Sequence, residues 1–241
     1  MFSRFRQRSY EPEHLDTGDY TASEYEGCIV ELQRVNRYLG DASALRRSVL
    51  ALIEREGLQE FSLLDVGAGS GELLRVAAGW TKESGRRARL VGLELNARSA
   101  RAILEESKDS SFITAVRGDA LRLPFQDDEF DYAMCSLFTH HFREEQDLTI
   151  LRELARVARR CIFVIDLHRH PVAYYFYTTI GRLFLHNRLI REDGALSILK
   201  SFRPDELRNL ALQAQLANIK IERRFPFRLV LTAGKKMGEG G

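Results

Sequence analysis

Cysteine is scarce: Cys28, Cys135 and Cys161 are the only three in 241 residues. They lie far apart, lack the paired spacing of a zinc site, and in their odd number suit no closed set of disulfides. A reducing, cytoplasmic setting is therefore expected. An excess of one charge is also missing. The 36 basic and 34 acidic residues leave a formal net charge of +2, and no run of either sign marks a nucleic-acid stripe or an acidic tail. No nucleic-acid partner is expected.

Long apolar runs are absent too. Arg4, Arg6 and Arg8 crowd the first ten residues without the apolar stretch of about 7 to 15 residues that an export signal needs. The most apolar segment, Val172 to Leu185, is broken by Thr178, Thr179, Gly181 and Arg182. It is too short for a bilayer span of about 20 residues. No transmembrane segment is expected, although the aromatic side chains here admit peripheral contact with a membrane or a dimer face. Monomer and homodimer stay equally open.

What is present is enough for a core. With 44% hydrophobic residues, a chain of this length buries roughly 70% of its unfolded surface in a single domain. From residue 61, β-rich runs alternate with helical patterns, which predicts a parallel sheet covered on both faces. The expected strands are 62–66, 89–95, 111–117, 131–137, 161–166, 219–224 and 228–232. Helical spacing marks 72–78, 97–107, 144–158 and 204–216. Residues 1–60 carry two helical patterns, through Ile29, Leu32, Val35 and Leu39 and through Leu45, Val49, Leu52 and Ile53, and are expected to form an N-terminal helical cap. A plain strand-to-helix connection takes about 2 to 6 residues, so 168–202 reads as an insert. It holds Tyr174, Tyr175, Phe176, Tyr177, Phe184 and Phe202, a composition that suits either a buried helix or a substrate lid. Residues 234–241, rich in glycine and lysine, read as a disordered tail.

The segment Leu63-Leu64-Asp65-Val66-Gly67-Ala68-Gly69-Ser70-Gly71-Glu72 is a buried strand, a glycine turn and a helix start in succession. Glycines let bare backbone approach a ligand, and the helix start offers unpaired N–H groups. A dinucleotide turn reads G-x-G-x-x-G, whereas the third glycine here comes one residue early and position 72 is glutamate. Asp65 would repel a pyrophosphate and favour an ammonium.

This D-x-G-x-G-x-G pattern resembles the first motif of the class I methyltransferases, and further segments follow in their order across about residues 60 to 233. Glu94 and Leu95 end a strand where that family places a carboxylate for the ribose hydroxyls. Asp119, Ala120 and Leu121 resemble the segment in which an acid caps the adenine amino group beside apolar contacts. Ser136 and Leu137 end the fourth strand, which lines the transfer site. The resemblance implies a Rossmann-like, seven-stranded, mostly parallel sheet with helices on both faces, an N-terminal helical cap and a helical lid insert after strand 5. It implies S-adenosylmethionine as cofactor, held by Asp65, Gly67, Ala68, Gly69, Gly71, Glu94, Leu95, Asp119, Ala120, Leu121, Ser136 and Leu137. In finer detail the chain is similar to methylases of the ubiquinone/menaquinone type, methyltransferase domain type 11/25. The lysine-proline-glycine-glycine turn of many relatives is replaced by Arg156-Val157-Ala158-Arg159-Arg160.

Methyl transfer from a sulfonium needs alignment rather than a metal, and no metal ligand set is expected. A phenol or quinol acceptor would gain from a base. His140 and His141, after the fourth strand, and His168, after the fifth, are the candidates, and Asp166 could orient His168. The aromatic insert suits a small hydrophobic acceptor, phenolic, quinol or polyketide-derived, of the kind met in secondary metabolism. The alternatives are methylation of a macromolecule, or a non-catalytic partner protein that keeps the cofactor. Ser136-Leu137-Phe138-Thr139 lacks the N/D-P-P-aromatic motif of many enzymes that methylate target amines.

Overall fold

The computed structural model describes residues 3–21, 23, 24, 27, 28, 31 and 40–235. Its strands are β1 (Glu60–Val66), β2 (Arg87–Glu94), β3 (Ile113–Arg117), β4 (Phe130–Ser136), β5 (Ala158–Leu167), β6 (Leu216–Arg224) and β7 (Arg228–Lys235). They form one sheet in the order β3-β2-β1-β4-β5-β7-β6. β1 to β5 run parallel, and β7 enters antiparallel to both β5 and β6.

Its helices are α1 (His14–Thr17), α2 (Asp41–Leu45), α3 (Ala51–Arg55), α4 (Glu72–Glu83), α5 (Ala97–Glu106), α6 (Glu144–Val157), α7 (Pro171–Thr179), α8 (Arg188–Lys200) and α9 (Pro204–Gln213). A π-helical turn, Arg46–Leu50, joins α2 to α3 without a break.

Alternation along the central strands explains the two layers. Successive side chains point to opposite faces. Leu63, Tyr132, Phe163 and Val230 therefore pack with Leu45, Val49, Ile53, Leu74 and Ile103 on one side. Leu64, Ala133, Val164 and Leu229 pack with Ile150, Leu154, Leu207 and Leu210 on the other. Strands buried on both faces read as nearly unbroken apolar runs, and β1, β4 and β5 have that sequence.

The second N-terminal pattern is helical as expected, with Leu45, Val49 and Ile53 buried. Most of the first, from Ile29 to Leu39, lies outside the described residues. The insert after β5 is helical: His170 accepts from the Val172 N–H to cap α7, Pro171 fills its first turn, and Asn187 caps α8. One boundary is corrected. Gly234 and Lys235, expected in the tail, belong to β7, because Gly234 pairs with Cys161 and Lys235 with Leu216. The rest of that tail lies outside the described residues. No helix among the described residues is long and apolar enough to cross a membrane.

Candidate functional site

The five parallel strands all end on one edge of the sheet, and the order reverses between β1 and β4. In open sheets of this kind the ligand crevice lies outside the carboxyl ends at that reversal. Every candidate site residue falls there: Asp65 to Gly71 at the end of β1 and in the loop beyond it, Glu94 and Leu95 at the end of β2, Asp119 to Leu121 after β3, Ser136 to His141 from the end of β4 onward, and His168 after β5.

The β1–α4 loop is built for close approach. Gly67, Gly69 and Gly71 all have positive φ, and a side chain at Gly69 would project into open space. The Gly69 N–H donates to Glu94 Oε1 at 2.5 Å, which ties the loop to the end of β2. Beside it Asp65 is only 2% exposed, and its Oδ1 is buried without a hydrogen-bond partner. Burial, and then the Glu94 carboxylate, push the Asp65 carboxyl well above its ordinary pKa. Burial raises Glu94 as well, partly offset by the N–H groups of Gly69 and Leu95. Two carboxyls facing an open glycine cradle, one with a vacant acceptor oxygen, fit a ligand that brings hydroxyl donors and an ammonium. Leu95 next to them leaves 66% of its surface exposed, an apolar face fit for a flat ring. Asp119 Oδ1 accepts from the Leu121 N–H at 2.9 Å, which shapes the third loop.

A second group gathers after β4 and β5. Leu137 takes a left-handed conformation, φ 48°, a strained turn for a γ-branched residue. It swings Phe138 over Gly67, where any Cβ would clash with the ring. Thr139–His141 then form a single 3-10 turn. Asp166, fully buried near the end of β5, receives the Thr139 hydroxyl at 2.7 Å. Its Oδ1 lies 2.7 Å from His140 Nδ1. Burial alone would raise the Asp166 carboxyl. The charge of His140, with hydrogen bonds from His140, Thr139 and the Leu167 N–H, instead holds it down to about 2. The contact with ionised Asp166 fixes a proton on His140 Nδ1 and leaves Nε2 as the ring nitrogen that can meet an acceptor.

The two groups are neighbours. Val66, Cys135 and Val164 sit in one row across β1, β4 and β5, and β1 and β5 are two strand spacings, roughly 10 Å, apart. The Cys135 thiol between them is pushed up by burial and by the carboxylates of Asp166, Asp65 and Asp147.

The oriented histidine is His140, not His168. Just past the end of β5, His168 forms a bridge with Phe202. The His168 N–H donates to the Phe227 carbonyl, and its ring packs against His170. His141 stacks 4.2 Å from His140, with Nδ1 3.8 Å from Glu13 Oε1. Glu13, His140 and His141 bring potential metal-ligand atoms within 4.8 Å of one another. Glu13 already accepts the Lys200 ammonium at 3.1 Å and the Ser197 hydroxyl at 2.9 Å, so a cation would have to displace Lys200.

The sequence gives no local signal for the groups that cover this turn. Arg8 pairs with buried Asp147 at 2.7 Å and donates to the carbonyls of Thr139, Phe142 and Lys200. Its guanidinium stacks 4.0 Å from the Phe202 ring centroid. These contacts join positions more than 100 residues apart, which no spacing rule anticipates.

Residues 64–163 match the family described as Methyltransferase domain. Over 122 residues the chain is 34% identical to a demethylmenaquinone methyltransferase from Roseiflexus sp. (strain RS-1), covering 47% of this chain and 48% of that one. The match thus spans about half the length of that relative. The fold is similar to a SAM dependent methyltransferase from Aquifex aeolicus, with a TM-score of 0.56 at 15% identity over 80% of this chain and 97% of that one. It is also similar to magnesium protoporphyrin IX methyltransferase from Synechocystis PCC 6803 with bound SAH, with a TM-score of 0.57 at 16% identity over 82% and 84% of the two chains.

Proposed function

We propose that the chain, whose residues 64–163 match the family described as Methyltransferase domain, is a class I methyltransferase that uses S-adenosylmethionine to O-methylate a small hydrophobic acceptor, phenolic, quinol or polyketide-derived. When bound, the cofactor supplies a sulfonium-activated methyl group. The residues that would hold it are those of the glycine cradle, with Asp65, Glu94, Leu95, Asp119, Ala120, Leu121, Ser136 and Leu137. The unpartnered Asp65 oxygen supports an ammonium there, and the open space at Gly69 supports close approach of the chain to the ligand.

The observation that carries the acceptor class is the 2.7 Å contact of His140 Nδ1 with Asp166 beside that cradle. An acceptor hydroxyl gives its proton to His140 Nε2 as its oxygen takes the methyl group, and Asp166 stabilises the resulting imidazolium without taking the proton. The demethylmenaquinone methyltransferase relative agrees with a ring-bearing acceptor.

The test is to incubate the protein with methyl-labelled S-adenosylmethionine and a bacterial extract, then count label in the organic-soluble, nucleic-acid and protein fractions. Label is expected in the organic phase, and label in a macromolecular fraction rejects the acceptor class. His140→Ala should lower turnover roughly 10²- to 10⁴-fold with S-adenosylhomocysteine affinity unchanged. Full activity in that variant sinks the base assignment.

A further inference from the structure

An α-helix apolar on all sides is normally buried. In α7 and the turn after it, one side packs on the protein through Ala173 and Tyr177, while Val172, Phe176, Ile180, Leu183 and Phe184 stand 45% to 73% exposed. Half of the exposed large apolar side chains among the described residues lie within these thirteen positions. The spacing 172, 176, 180 and 183 puts four of them on one stripe. Such a ridge in contact with water is unfavourable unless something covers it.

Charge says what. Of the arginines in residues 167–191, Arg169 is buried against Glu206 and Arg188 pairs with Glu24 and Glu192, which leaves Arg182 and Arg191 beside the ridge. Arg182 lies within the ridge itself and is exposed. Beside the ridge, between α7, α8 and the N-terminal segment, a cleft of about 530 Å³ is lined by Arg4, Arg182 and Arg191 with Tyr174 and Tyr177. Glu11 and Glu192 face the same cleft, so three guanidiniums meet two carboxylates and the balance is positive. Arg4 is fixed there by a 3.0 Å hydrogen bond to the Tyr174 hydroxyl. Apolar side chains flanked by arginines are the composition of a segment that lies in a membrane interface, with its rings among the acyl chains and its cations among anionic headgroups.

We propose that α7 and the turn through Phe184 dock the protein on an anionic lipid surface, with the Arg4–Arg182–Arg191 cleft receiving a headgroup phosphate. α7 starts four residues beyond the end of β5 at Leu167, on the sheet edge that carries the candidate acceptor site. A hydrophobic acceptor passes from the bilayer to His140 without crossing water. That last step rests on the proposed function; the docking does not.

The experiment is flotation of the full chain with phosphatidylcholine vesicles, with and without about a quarter of phosphatidylglycerol, alongside sedimentation without lipid. Binding to the anionic vesicles is expected, weakening as salt rises. Leu183→Ser with Phe184→Ser should lower it at least about tenfold, and Arg182→Glu about tenfold. Leu212→Ser, on α9 and also exposed, should change nothing. Each variant should keep its S-adenosylhomocysteine binding, which reports folding. Docking is overturned by a wild-type protein that floats with neither vesicle, or by ridge variants that float as well as wild type. It is equally overturned by a concentration-dependent dimer that the ridge substitutions dissociate, since a second copy then covers the face. Vesicle binding without methyl transfer to any organic-soluble acceptor would retire the proposed function and leave the docking standing.

Discussion

Asp65 keeps a buried oxygen without a partner beside the Glu94 carboxylate, which together with burial holds its proton on. A ligand ammonium reverses that balance, since it stabilises the ionised form. Binding must then release the proton, so affinity for S-adenosylhomocysteine should rise with pH until Asp65 ionises in the free protein. Asp65→Asn should weaken binding about tenfold or more and flatten this dependence, both read by titration calorimetry; an unchanged affinity profile removes Asp65 from the site. Gly69→Val should abolish binding outright, because φ is +59° there and the new methyls fill the cradle. At this scale the motif half of the site was legible, because Asp65, Gly67, Gly69 and Gly71 are neighbours along the chain and their types state their chemistry. The Asp166–His140 contact was not. It joins the ends of two strands, and spacing along β5 alone pointed Asp166 at His168.

Among the elements, the strands of the parallel half declared themselves because burial on both faces demands nearly unbroken apolar sequence, as in Ile162 to Ile165. The way the N-terminal helices attach could not be read, since it depends on one distant pair. Arg228 at the start of β7 grips Asp41 at the start of α2, Nε to Oδ1 at 2.6 Å and Nη2 to Oδ2 at 2.9 Å, and both side chains are buried. Removing one partner strands the other charge, which typically costs about 3–5 kcal/mol. Asp41→Ala should lose that much stability in urea unfolding, while a joint replacement of Asp41 and Arg228 by apolar residues should recover part of it. A loss below about 1 kcal/mol, the level of an exposed pair, would mean that helix packing alone holds the N-terminal layer.

The whole molecule is nearly neutral, +2 overall, so its response to acid comes from a few buried groups rather than from general self-repulsion. His168 is held down to about 4 by burial and then by the charges of His170, Arg223, Arg169 and Arg203. Its ordinary value is about 6.5. Between those two values the unfolded chain binds the extra proton, so stability is complete above about pH 6.5 and drains away as pH falls toward 4. Solvent reaches part of the group and screens the effect, so the shift is worth about 1–2 kcal/mol, still a noticeable part of the roughly 5–15 kcal/mol that keeps a domain folded. His141 is lowered in the same direction, but a third of its side chain meets solvent and its share is smaller. Asp166, depressed to about 2, acts in a separate window: its contribution is present above about pH 4 and is lost only as pH falls toward 2. Asp147, raised to about 7 chiefly by burial, and Asp65, raised the same way, act with the opposite sign above about pH 4, so the His168 and Asp166 steps are superimposed on a partly compensating slope and are read as differences between wild type and variant. His168→Gln should remove most of the upper step and leave the lower one in place. If the upper step survives that substitution unchanged, the loss of stability near pH 5 belongs to some other group and the buried imidazole of His168 is not its source.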